Sequence, residues 1–193
     1  MTGQLMPLDN PSECIFISHV ADDVSYALRL RELLNLPREM IATSSDGGSG
    51  KDADDIQLQF LQECGIIIVL VGPRTQLSRW VDKEIDIAIT DRSKPAALLG
   101  IVLPHHKDFA KPYYESENVP RRLHDRVHHD YALMKKWTED TEKIRAWLKE
   151  VSKRSQHLRS TVSSRAMLDL QKQNWDDNSD TPRSFLQSSS ETP

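Results

Sequence analysis

The chain has 193 residues and a mass of 22.1 kDa, room for one ordinary domain and a remainder. Its 25 Lys and Arg against 29 Asp and Glu give a formal charge of −4, without the basic excess of a nucleic-acid binder. Mean hydropathy is low at −0.55, the two cysteines Cys14 and Cys64 make no disulfide framework, and no apolar run reaches the ~20 residues of a membrane helix.

Residues 1–11 lack the basic-then-apolar order of a signal peptide, which predicts a cytoplasmic protein with buried, reduced thiols. Short apolar runs at 14–17, 65–72 and 96–103 have strand length, and the first two are rich in β-branched residues. Such runs read as strands buried on both faces, as a parallel sheet requires. A helix is predicted between the first two, with Val24, Leu28, Leu30, Leu33 and Leu34 as its stripe. Asp22 and Asp23 read as helix-start charges. Residues 40–43 form a weak candidate strand, and Ile56, Leu58, Phe60 and Leu61 mark a second helix over 52–63. Ser78 suits the N-cap of a third, which carries Val81, Ile85, Ala88 and Ile89 on one face. This alternation predicts an α/β domain built on a parallel sheet.

Beyond Pro104 the pattern loosens. Residues 105–122 read as a surface connection, and 127–132 as one further short strand. A closing helix over 138–151 would be capped by Thr138 and buried through Ile144, Trp147, Leu148 and Val151. The predicted organisation is a domain over 13–152, a helical extension over 153–173 and a disordered Ser-, Asp- and Thr-rich tail over 174–193.

Residues 46–51, Asp-Gly-Gly-Ser-Gly-Lys, suggest a phosphate loop, but Ser45 stands where a Walker A motif needs Gly and Asp52 where it needs Ser or Thr. What remains is a Gly-rich loop following a strand, and ligands of open α/β sheets bind at that end. The Asp22–Asp23 pair resembles the acidic pair of a receiver domain, yet Val71-Gly72-Pro73 supplies no acceptor aspartate. His105, His106, His124, His128 and His129 lack metal-ligand spacing and read as solvated side chains, so no metal site is predicted. Trp80 and Glu84, four apart, share a helix face that flanks the buried stripe. Glu84 is either a partly desolvated working carboxylate or a boundary residue paired with a nearby Lys or Arg.

Phe16-Ile17-Ser18-His19 resembles the opening of TIR domains, and Trp80-Val81-Asp82-Lys83-Glu84-Ile85 resembles their helix with the catalytic glutamate. The run 69–75, then Ser78-Arg79-Trp80 and later Asn118-Val119-Pro120, is similar to the TIR-like branch that includes the NAD-consuming subunit of Thoeris antiphage systems. The resemblance covers roughly residues 13–151. It implies a flavodoxin-like three-layer sandwich with a mainly parallel sheet of about five strands. It further implies NAD as substrate, with no resident cofactor, and cleavage of the nicotinamide–ribose bond. Glu84 would be catalytic and Trp80 would support it, while Ser18, His19, Asp46, Gly48, Gly50 and Lys51 would border the pocket. His19 stands where many TIR domains have Tyr. The implied product is an ADP-ribose-derived signalling nucleotide (ADP-ribose, a cyclic isomer or an ADP-ribose conjugate) for a separate effector in bacterial antiviral defence, with homo-oligomerisation left open. Two alternatives stay beside it: a non-catalytic TIR-like interaction module, and a flavodoxin-like nucleoside deoxyribosyltransferase.

Overall fold

The computed structural model describes residues 14–45, 51–90 and 95–156, with side chains in the second stretch described from 57 onward. The readings made for 46–50, for the extension beyond 156 and for the tail lie outside the described residues. Five strands, β1 (Ile15–Ser18), β2 (Ile41–Thr43), β3 (Ile66–Val71), β4 (Ala97–Val102) and β5 (Ala132–Lys136), form one sheet in the order β2-β1-β3-β4-β5. Every pairing is parallel. Between them run α1 (Val24–Leu34), α2 (Lys51–Glu63), α3 (Arg79–Thr90) and α4 (Arg121–His128), and α5 (141–156) follows β5. This is the flavodoxin-like arrangement, and its strand order reverses between β1 and β3.

Strand alternation divides the core in two. Ile15 and Ile17 of β1, with Ile66, Ile68 and Leu70 of β3, pack against Ala27, Leu30 and Leu34 of α1 and against Ile144, Leu148 and Val151 of α5. Phe16, Ile67, Val69 and Val71 point the other way, onto Leu61 of α2, Val81 and Ile85 of α3, and Leu123 of α4. Burial on both faces explains why these strands read as unbroken apolar runs. By the same alternation Ser18 shares a face with Phe16, on the side of α2 and α3.

Several expectations need correction. Val24 and Leu28 are 36% and 40% exposed, because the inward face of α1 follows the spacing 27, 30, 34 instead. The strand expected over 127–132 lies later, at 132–136, with Val127 on α4. β5 is an edge strand ending in Lys135 and Lys136, so apolar content is a poor guide to its extent. The cap of α5 is Asp140, whose Oδ1 accepts the Lys143 N–H at 3.2 Å, while Thr138 accepts the Asp140 N–H at 3.1 Å. The helix continues past 152 to 156, and Ser155 is fully buried.

The 105–122 segment is likewise not a plain surface connection. His106, Asp108 and Asn118 are buried. Asp108 Oδ2 accepts the Glu115 N–H at 3.0 Å and the Asn118 amide at 2.8 Å, while Oδ1 meets Lys111 Nζ at 2.8 Å. Burial alone would raise the Asp108 pKa. Lys111, the Glu115 N–H and Asn118 together outweigh it and hold the carboxyl well below its usual range. His106 Nδ1 accepts the Asp108 N–H at 3.1 Å, which leaves Nε2 to donate to the Asn118 carbonyl at 3.0 Å. Solvation does not describe His106.

Candidate active site

At the C-terminal edge of the sheet, β1 ends in Ser18 and β2 leads into Ser44. Ser78 Oγ accepts the Val81 N–H at 3.2 Å and starts α3, which carries Trp80 and Glu84 on successive turns. Glu84 is 1% exposed and, among the described side chains, meets neither Lys nor Arg. Its Oε2 accepts hydrogen bonds from Ser18 Oγ at 2.6 Å and Ser44 Oγ at 3.2 Å. Its Oε1 accepts one from Gln57 Nε2 of α2 at 2.8 Å. Four elements thus converge on one carboxylate.

Burial pushes the Glu84 pKa up, against hydrogen bonds from Ser18, Ser44, Trp80 and Gln57 that favour the charged form; the outcome is about 7. A carboxyl group so poised holds or releases a proton near neutrality. Among the described side chains the boundary reading finds no Lys or Arg partner for Glu84. Trp80 is half-buried, and Lys83 Nζ lies 5.0 Å above its ring.

His19 is buried beside this cluster and turns its side chain elsewhere. Its N–H donates to Ser44 Oγ at 3.1 Å, while Nδ1 lies 2.8 Å from the Val20 carbonyl and Nε2 lies 3.4 Å from Ser45 Oγ. Ser44 therefore joins the ends of β1 and β2 to the carboxylate. Of the predicted site residues, Ser18, His19, Trp80 and Glu84 come together here. Asp46, Gly48 and Gly50 lie outside the described residues, as does the side chain of Lys51, the first residue of α2.

Residues 16–108 match the family model of the Thoeris protein ThsB, TIR-like domain. Over this stretch the chain carries a TIR-like domain similar to that of Thoeris ThsB. The matched stretch reaches from β1 past β4 and contains every residue of the Glu84 cluster. Among curated proteins none matches the chain.

Two members of the Glu84 cluster, Gln57 and Ser44, are not among the site residues expected from the sequence. Gln57 is polar on the inward face of α2, in line with Leu61 and Cys64, and that break in an apolar stripe was its available signal. Ser44 gives no such signal, since a serine after a strand is ordinary turn chemistry. Asp23 was also misread as a simple helix-start charge. It is fully buried and makes no side-chain cap; Oδ1 lies 2.9 Å from His105 Nε2, and Oδ2 lies 3.4 Å from Thr75 Oγ1. Thr75 Oγ1 in turn accepts the Gly72 N–H at 2.9 Å. His105 stacks on Tyr26 with ring centroids 5.2 Å apart.

A cavity of about 280 Å³ lies away from this edge, between α3 and α4, with Ile85, Asp86, Ile89, Arg122, Arg126 and His129 in its walls. Among the described residues no helix is long and apolar enough to cross a membrane.

Proposed function

We propose that this TIR-like domain cleaves the nicotinamide–ribose bond of NAD and passes the ADP-ribosyl group to a hydroxyl. The observation that carries this reading is Glu84: a buried carboxylate at the ligand-binding edge of the sheet, poised near neutrality and held by donors alone. Nicotinamide leaves with the electron pair of the C1′–N bond, which neutralises its pyridinium and leaves a cationic, oxocarbenium-like ribose. An ionised Glu84 stabilises that cation. When water or a ribose hydroxyl attacks C1′, the proton it sheds passes to the Glu84 carboxylate and then to solvent. Water yields ADP-ribose and an internal hydroxyl a cyclic isomer, either of which suits a diffusible signal to a separate effector.

In this conformation the carboxylate is covered by its own donors. Ribose hydroxyls are donors of the same kind, so substrate entry exchanges the longer Ser44 bond for one from the sugar while Ser18 and Gln57 keep their hold. The dinucleotide's phosphates meet the N-terminal ends of α2 and α3, which parallel βαβ crossovers bring to the edge where β1 and β3 end.

The deciding experiment measures nicotinamide release from NAD by mass spectrometry, with purified protein and in extracts of phage-infected cells. Wild-type protein is expected to release nicotinamide in at least one setting, and Glu84→Gln to lose at least 100-fold in rate. Equal release by the two proteins in infected cells would sink the reading. Turnover of nucleosides but not NAD would favour a deoxyribosyltransferase instead.

A further inference from the structure

Gln57 stands where packing alone would choose a hydrocarbon. It is 8% exposed and lies in line with Leu61 and Cys64, both fully buried, at i, i+4 and i+7. Burying an amide is costly unless its polar atoms find partners. Here Nε2 finds Glu84 Oε1 at 2.8 Å. The other oxygen, Oε2, is held from the opposite side by Ser18 and Ser44, at the ends of β1 and β2. A carboxylate anchored at one oxygen can still turn about its Cγ–Cδ bond; anchored at both from separate elements, its plane is fixed.

We propose that Gln57 is a positioning residue for Glu84, setting the plane of the carboxylate and tying it to α2. The proposal deepens the NAD reading and rests on it for the turnover arm of its test. α2 begins at Lys51, directly after the Gly-rich 46–50 segment in sequence. Any ligand that displaces α2 therefore moves the donor on Oε1, whereas the serines on Oε2 stay with the sheet.

Among the described residues the ionisable neighbours leave Glu84 to its uncharged donors. His19, at the end of β1, turns its ring nitrogens to Val20 and Ser45. On α3, Lys83 lies over Trp80, Asp86 pairs with Arg122 of α4, and burial raises the Asp82 pKa against the opposing influence of Arg122. Cys64 follows α2 on its inward face and donates its thiol to the Leu61 carbonyl at 3.2 Å.

Gln57→Met tests the proposal, because it preserves length and apolar volume while removing the donor. The carbon-13 carboxyl signal of Glu84, assigned by its loss in Glu84→Gln, is titrated in wild type and variant beside NAD turnover. A donor to the ionised form is lost, so the Glu84 titration is expected to move upward. The acid limb of the kcat profile should move with it. At neutral pH kcat falls about 10- to 100-fold while KM for NAD stays within about twofold. Gln57→Asn, which withdraws the amide by one methylene, should shift both readouts the same way and serves if the Met variant does not fold.

An unmoved titration would reduce Gln57 to a packing residue and overturn the proposal. A raised KM at unchanged kcat would overturn it too, by making Gln57 a substrate contact. If wild-type protein never turns over NAD, the function above fails, and the titration shift alone decides the role of Gln57.

Discussion

Glu84 is pulled in two directions, by burial toward the neutral form and by its donors toward the charged one. Burial wins, and the pKa of about 7 lies above the ordinary value of 4.5. Between those two values the native protein keeps a proton that the unfolded chain has released. Stability therefore falls as pH rises through that window and levels off above it, a loss of about 3 kcal/mol from this one group. Glu84→Gln carries no such charge. In urea titrations from pH 4.5 to 8 the variant should gain on wild type by about that amount, with most of the gain between pH 5 and 7. A constant difference across the range would show that Glu84 titrates normally. Gly72 offers a second test at this scale. A Cβ there would overlap the buried Asp23 carboxylate, so Gly72→Ala is expected to cost roughly 1–3 kcal/mol. Combined with Asp23→Ala, which vacates that space, its cost should shrink markedly; strict additivity in a double-mutant cycle would contradict the steric account. Spacing and resemblance made Glu84, Trp80 and Ser18 legible as a group. They did not reveal that two serines and an amide hold the carboxylate, because partners distant in sequence leave no local period.

The elements that were read best are those with the strongest internal pattern. β1, β3 and β4 are buried on both faces and announce themselves as apolar runs, and the amphipathic spacing of α3 placed Glu84 on the correct face. The elements misread are those whose order comes from polar contacts. The 105–120 connection looks solvent-like in composition, yet Asp108 gathers His106, Lys111, Glu115 and Asn118 around a buried carboxylate. Its lowered pKa makes that contribution acid-sensitive: it is present above the ordinary carboxylate range and is lost as pH falls below it. Asp108→Ala removes the acceptor of the Glu115 N–H and should speed hydrogen exchange at that amide well before α3 or β4 is affected. Wild-type protein should show the same local opening only once pH has fallen well below the ordinary carboxylate range, through the lowered Asp108 titration. Unchanged exchange at Glu115 in the variant would mean that backbone packing alone orders the segment.

At the scale of the whole molecule, the dinucleotide proposed as substrate is an anion, and a protein of net charge −4 would have to bind it through local groups rather than its overall field. The strand order β2-β1-β3-β4-β5 gives those groups a place, since it reverses between β1 and β3, ligands of open α/β sheets bind at such a reversal, and Ser18 and Glu84 meet at that edge. The cavity between α3 and α4 offers a rival location, with Arg122, Arg126 and His129 beside it. Glu84→Gln separates binding from turnover and lets the two be compared. With NAD at about 100 times its Kd, linkage predicts about 2.7 kcal/mol of added stability. In a domain of this size that corresponds to a rise in Tm of about 5–10 °C. Amide exchange should then locate the ligand. Slowing at His19, Ser45 and Gly72 is expected of a dinucleotide seated across the β1–β3 crevice. Slowing confined to 122–129 would instead move the site to the α3–α4 cleft, where Glu84 cannot act on it and the catalytic assignment fails.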